Sequence, residues 1–532
     1  MTCRQWLRRG VLCLVALLAV PSLVTAQTFP RKKPLPAHWP RGNAAERAAA
    51  AKSGSSPWQP LVSQPTFLDP NCYGAANPLL LTDGSVIIQD GGCSDWWRLT
   101  PDQSGSYVNG TWTQIASLPS GYAPLYHSSA VLPDGRVIIM GGEYNFFNPV
   151  WTNLGAIYDP IADSWLSVAP PSGWATIGDA QSVVLDNGTF MQANCCSKQS
   201  ALLDASTLTW TITGAGKYDP NDEEGWTLLP GGRVLAADAY VPIAPFPYIP
   251  DGTNSELYDA ASGRWRSAGS TGVQLWDSAA ECGGLNVATF ELGPAVLRPD
   301  GTVFYAGANS CGAGHTAIYD AYTGHWKAGP DFPGSLDIAD GPATLLVNGD
   351  VLLDASPGFG GTPTFFFEWN GKRLVQVPGP PNAGVDSSFY GNFLVLPTGQ
   401  ILFTDFSEDV EIFTPGGAPQ PMWAPVVLKA PAKVQPGGRY EISGVLFNGL
   451  SQGAAYGDDV QAATNYPLVR ITNRSTGHVF YSRTHDHSSM AVANFGTVST
   501  HFDVPASQET GPSDLEVVAN GIASQPVAID VQ

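Results

Sequence analysis

Apolar positions in this chain come in short runs broken at regular intervals by a tight polar turn. "HSSAVLPDGRVIIMGG" sets the pattern: an apolar run, an Asp-Gly turn, and a second apolar run ending in small residues. "ANPLLLTDGSVIIQDGG", "AQSVVLDNGTFMQAN", "GWTLLPGGRVLAAD", "GPAVLRPDGTVFYAGAN", "GPATLLVNGDVLLDAS" and "GNFLVLPTGQILFTD" repeat it. The seven copies centre on Gly84, Gly135, Gly188, Gly232, Gly301, Gly349 and Gly399. Asp-Gly and Asn-Gly supply the positive φ that a tight hairpin needs. Apolar runs of this length read as buried strands. A second half of the unit recurs as "YDPIADSW", "LDASTLTW", "YDAASGRW" and "YDAYTGHW", each placing Trp six residues after Asp.

A unit of roughly 50 residues with four short strands is the kelch type of propeller blade. Seven such units predict a closed ring over 57–429. The segment "SSPWQPLVSQP" resembles the outer strand of other blades and is expected to complete the last one. After Leu428 the repeat stops. Residues 430–532 stay strand-rich, with turns at "QPGGRY" and "NRSTGH", and predict a separate β-sandwich. The expected fold class is all-β.

Composition narrows the setting. The chain has 532 residues, 26 Lys and Arg against 46 Asp and Glu, and a formal net charge of −20. Such a balance argues against nucleic acid or an anionic membrane surface as partner. Residues 1–26 have a basic start, an apolar core from Val11 to Val20 and a small residue, Ala26, at the expected cut. They read as a signal peptide rather than a membrane span, so an exported protein, secreted or periplasmic, is expected. Residues 27–56 are rich in Pro, Ala and basic side chains and read as a flexible leader. Six cysteines follow the signal. The repeat frame favours Cys72–Cys93 and Cys282–Cys311, leaving Cys195 and Cys196 as a vicinal pair or two thiols.

The frame also nominates chemistry. The start of each inner strand lines one mouth of the propeller axis, which places Tyr126, His127, Asp179, Glu223, Glu224, Asp340 and Tyr390 there. Carboxylates with a histidine suit general acid–base work, glycoside hydrolysis or uronate elimination. Clustered carboxylate oxygens equally suit Ca²⁺. Near the C-terminus, "FYSRTHDHSSM" puts His485 and His487 two residues apart, which on a regular strand gives them one face.

This order of elements, with "LVRITNRSTGHVFYSRTHDH" in the terminal part, resembles the galactose oxidase and glyoxal oxidase family. The resemblance covers nearly all of 58–532 and implies a C-terminal immunoglobulin-like (early-set) sandwich. It implies secretion, copper, a Tyr–Cys radical cofactor, and oxidation of an alcohol or aldehyde with release of peroxide. The Thr-His copper ligand matches Thr484-His485, which makes His485 the expected metal ligand if copper is bound. The radical tyrosine falls at Asp179, the crosslinking cysteine at Tyr126, and the Tyr-His pair at Tyr390-Gly391. Aspartate cannot carry a phenoxyl radical, so the radical cofactor is not expected; copper or calcium stay open. The reading is a remodelled acidic site, with His485, Asp179, Glu223, Glu224, Tyr126 and Tyr390 as its chemical residues and His127, Asp340 and His487 as binding residues. Carbohydrate or a cell-surface glycan is the expected partner. The alternatives are a non-catalytic glycan- or protein-binding module and a copper oxidase with an atypical shell.

Overall fold

The computed structural model describes residues 56–195, 197–239, 252–277, 289–309, 311–458 and 460–532. The signal peptide and almost all of the expected leader lie outside them, as do Cys196 and Cys282.

Each of the seven predicted turns joins a strand pair. Leu80 faces Val86, Val131 faces Val137, and Val184 faces Phe190. Leu228 faces Val234, Leu297 faces Val303, Leu345 faces Val351, and Val395 faces Ile401. All seven turn glycines have φ between 77° and 89°, which other residues adopt at a cost and glycine adopts freely. Six of these pairs lie in four-stranded antiparallel sheets and the Leu345–Val351 pair lies in a five-stranded one, and these sheets are the blades of a β-propeller. In chain order their inner strands are Ala75–Leu80, Ser128–Val131, Ser182–Val184, Thr227–Leu228, Ala295–Leu297, Ala343–Leu345 and Asn392–Val395.

The outer strands close on an aromatic pairing. Tyr158 stands opposite Trp165, Tyr258 opposite Trp265, and Tyr319 opposite Trp326, with ring centroids 4.9–5.4 Å apart. Cross-strand aromatic pairs add to the stability of a half-buried sheet. The repeated Tyr-Asp and Trp are thus blade packing. The seventh sheet takes its outer strand from the chain start: Trp58 faces Phe413 and Pro60 faces Glu411. The Trp58 indole packs on Phe366, Phe403 and Phe413 and donates to the Pro378 carbonyl at 2.6 Å.

The C-terminal strands form one hydrogen-bonded path around a core of their own, with Ile442, Val469, Ile471, Phe502, Leu515 and Val517 at its centre. Strand Val479–His485 links its halves. Phe480–Ser482 pair with the strand Leu468–Asn473, and Arg483–His485 pair with the strand Val498–Asp503. The Cys72–Cys93 disulfide forms, with Cα atoms 5.8 Å apart. Cys311 is disulfide-bonded; its expected partner, Cys282, and the Cys195–Cys196 pairing fall outside the described residues. Among the described residues no helix is long and apolar enough to cross a membrane.

Candidate functional site

Nine residues before the turn glycine, three blades carry a non-glycine residue in the left-handed region: Tyr126 (φ 51°), Glu223 (φ 58°) and Asp340 (φ 54°). Such a backbone costs on the order of 1–3 kcal/mol and persists where the surroundings enforce it, commonly at functional positions. In the third blade the left-handed residue is Gly178 (φ 70°), immediately before Asp179. In the seventh a short 3-10 turn, Ser388–Tyr390, leads into the inner strand. The strained residue ends the alternation of the incoming chain, so its neighbour turns the other way.

That reversal separates the two adjacent glutamates. Glu223 joins two carboxylate groups: one with Asp179 and Asp458, one with Glu291 and Asp340, oxygens within each lying within 4.8 Å of one another. Glu224 is wholly buried against Lys217, 2.9 Å away, and is not part of the axial group. The Lys217 ammonium also meets Glu256 at 2.7 Å, Asp219 at 2.9 Å and Asp238 at 3.7 Å. One cation serves four carboxyls, so burial pushes Glu224 well up and Asp238 to about 8, the lysine only partly opposing it. Glu224 therefore belongs to the interior of the fourth blade, contrary to the expectation of a catalytic role.

Tyr126 and His127 divide in the same way. The Tyr126 ring joins an aromatic patch with Ala76, Leu125, Phe389, Tyr390 and Phe406, flanked by Tyr73 and Tyr144. His127 is buried. Its Nε2 lies 2.9 Å from Gln89 Oε1 and 3.4 Å from Asn77 Nδ2. Burial pushes it down to about 4, so it is neutral at pH 7 and sits below the mouth as an interior group. Tyr390 is pushed up to about 12 by burial, with Asp386 and Tyr73 adding to it, and stays a proton donor at neutral pH.

The segment reaching the axis is 452–464, not the histidine loop. Gln452 Oε1 accepts from Leu228 N at 2.7 Å, and the Gly453 carbonyl accepts from Leu345 N at 2.7 Å. Ala454 and Ala455 pair with Thr344 and Ala343. The Tyr456 hydroxyl donates to the Phe389 carbonyl at 2.6 Å, and Ser129 Oγ donates to the Gln461 carbonyl at 2.9 Å. The segment thus touches the fourth, sixth, seventh and second blades and sets Asp458 beside Asp179 and Glu223. Its tip needs Gly457: a Cβ there would stand 2.3 Å from Asp340 Oδ1 and 3.0 Å from the Leu292 carbonyl.

His485 lies at the other end of the inner strands. Thr484 N donates to the Thr82 carbonyl, His487 N to Pro133 and Met490 N to Asp186, all at the hairpin turns. Asp179 and Asp186 bracket the third inner strand, roughly 20 Å of extended chain. His485 Nδ1 is 2.8 Å from Asp486 Oδ2, and its Nε2 is 3.4 Å from Asp503 Oδ1. His485 therefore does not share a site with the axial carboxylates. His487 turns inward after the left-handed Asp486 (φ 53°), its Nδ1 2.8 Å from Thr500 Oγ1 and its ring stacked on Tyr466. It is pushed down to about 3 by burial, so the two histidines do not act as one face.

Among the described residues the mouth offers carboxylate and phenol oxygens. An imidazole-rich copper shell with an oxidisable phenol crosslinked to cysteine does not fit that donor set. Of the axial group, Glu291 adjoins Leu292, the frame position of the fifth blade, whereas Asp458 falls outside the repeat. "YGDD" lies outside the repeat, and its acidity was its one signal.

No family-wide sequence profile matches the chain. The Kelch-like protein terF of Aspergillus terreus is 28% identical over 153 residues, 28% of this chain and 30% of that protein. The chain thus spans under a third of the length of the curated relative it matches. A fungal alcohol oxidase of the AA5 family, solved in complex with copper, is 13% identical over 89% of this chain and 99% of its own, with a TM-score of 0.47. Virginiamycin B lyase from Staphylococcus aureus is 9% identical over 68% of this chain and 98% of its own, with a TM-score of 0.43. Both TM-scores are below 0.5, so the propeller rests on the chain's own sheets and the axial chemistry on its own side chains.

Proposed function

We propose that the chain is an exported protein of galactose-oxidase-like fold that holds a carbohydrate or related polyol at the propeller axis and acts on it through carboxylates. The observation behind this reading is the convergence on Glu223. Side chains from several blades and an inserted segment bring five carboxyl groups together, with two of the contributing blade residues held in left-handed backbone. Tyr126 and Tyr390 are buried in an aromatic cluster whose partly exposed edge, Tyr73, Tyr144 and Phe359, offers the apolar surface for a sugar face. Asp179 and Glu223 are the acid and base of such a site: one carboxyl donates a proton to a departing oxygen while its neighbour accepts one. The same oxygens suit a hard cation such as Ca²⁺, which itself binds vicinal hydroxyls. Copper radical chemistry has no place in this reading, because the donor set does not suit it.

The test is binding and turnover of the secreted chain on a broad glycan panel, with metal analysis of the same preparation. Saturable glycan binding or cleavage that falls at least tenfold in both Asp179→Asn and Glu223→Gln supports the reading. Stoichiometric copper with peroxide release from an alcohol overturns it. A second reading, a non-catalytic glycan-binding module, draws on segment 452–464, which occupies the axis beneath the mouth and favours a ligand held at the surface. Binding without turnover selects it.

A further inference from the structure

We propose that the end of the "THDH" loop is a binding site for a divalent first-row transition ion, with His485, Asp486 and His501 as ligands. It is separate from the axial carboxylates and does not depend on the function proposed for them.

Register brings the histidines together. His485 and His501 are directly opposite on the antiparallel strands Val479–His485 and Val498–Asp503. Their rings stack with centroids 5.7 Å apart and planes 18° apart. Asp486 follows in left-handed backbone, φ 53°, which turns its carboxylate back over the pair. One oxygen, Asp486 Oδ2, then lies 2.8 Å from His485 Nδ1 and 3.8 Å from His501 Nδ1. The His501 Nδ1 atom is itself buried and has no hydrogen-bond partner, although nearly half of its side chain is exposed. It is a lone pair or an N–H aimed at the same oxygen.

These separations match a metal shell. Ligands about 2.0–2.1 Å from a tetrahedral ion lie about 3.3 Å from each other, between the two distances observed. Two imidazoles and a carboxylate on one side of an ion, with the remaining positions open, suit Zn²⁺ and its neighbours rather than Ca²⁺ or Mg²⁺. The outer partner is present as well. His485 Nε2 faces Asp503 Oδ1 at 3.4 Å, and Asp503 is held by Arg439 at 2.8 Å and Arg483 at 3.3 Å. A carboxylate on the far nitrogen of a metal-binding histidine fixes its tautomer and orientation. Asp486 is 59% exposed and lines a cleft of about 470 Å³ against the hairpin turns at Pro133–Asp134 and Asn187–Thr189, which gives an ion its entry path.

Calorimetric titration of the untagged, secreted chain with ZnCl₂, repeated with Co²⁺ and followed by its visible absorption, tests the site. The expected result is one ion per chain, with Co²⁺ bands of a four- or five-coordinate centre. His501→Gln should weaken binding at least 100-fold and Asp503→Asn about tenfold. Glu223→Gln should leave it unchanged. Absence of saturable Zn²⁺ binding overturns the proposal, as does undiminished binding in His501→Gln. Loss of binding in Glu223→Gln with retention in His501→Gln would move the ion to the axis and overturn it too.

Discussion

Glu223 and Glu224 are consecutive in the chain, yet one stands among the axial carboxylates and the other is sealed against Lys217. The left-handed backbone at Glu223 divides them. Their substitutions should therefore fail differently. Glu223→Gln should leave the unfolding free energy within about 1 kcal/mol while reducing ligand binding or turnover at least tenfold. Lys217→Met, which leaves the carboxyls around Glu224 without their cation, should cost about 3–5 kcal/mol in urea unfolding. A binding defect without destabilisation in Lys217→Met would refute the division.

Stability should fall as the medium turns alkaline. Burial raises Asp90 to about 7, Asp337 to about 7 and Asp238 to about 8. A carboxyl whose folded value lies above its unfolded one, about 3.9, holds its proton better in the native state. Its contribution is complete below that unfolded value and is lost as pH rises through 7 to 8. His127 and His487 are depressed to about 4 and about 3, so their contribution is present above about 6.5 and is lost as pH falls. Between about pH 6.5 and 8.5 only the carboxyl effect remains. Thermal midpoints across that range should decline; a rising midpoint would contradict the burial of these groups.

Trp58 is the anchor of the closing strand. Trp58→Ala removes an indole that is 4% exposed and packed on three phenyl rings, and should cost about 3–5 kcal/mol. Intact cooperative unfolding at wild-type stability in that variant would show that the ring does not depend on its N-terminal strand.

Gly457→Ala tests the inserted segment. The added methyl meets the Asp340 carboxylate and the Leu292 backbone, so the tip must withdraw. Loss of ligand binding at least tenfold, with a stability change below about 2 kcal/mol, is the expected outcome. Unaltered binding would separate Asp458 from the site.

The blades were legible because their signals are local. Asp-Gly at Gly135 sets a hairpin whatever lies elsewhere, and the apolar alternation around it fixes the facing pairs such as Val131 and Val137. Counting from those turns puts Asp179, Glu223 and Asp340 at equivalent places in their blades, and their oxygens fall in the two carboxylate groups. What the count could not resolve is which of two neighbours faces the axis. Tyr126/His127 and Glu223/Glu224 depend on a left-handed residue that no alternation rule anticipates. The assignment of the axial segment failed for a different reason. Residues 452–464 are held by contacts with several blades, and their residue types carry no repeat. His501 carries no local signal, because its partnership with His485 is a matter of strand register across a long loop.

The closing strand at Trp58–Pro60 also sets an order of assembly. Its partner, Glu411–Phe413, is the last strand of the seventh blade to be made. The ring cannot close until both ends of that stretch have left the ribosome and, in an exported chain, crossed the membrane. Segment 452–464 comes later still, and with it Asp458. The carboxylate group at the axis is thus complete only after the strands of all seven blades have been made, and a chain truncated before residue 452 would carry those strands and only part of the site.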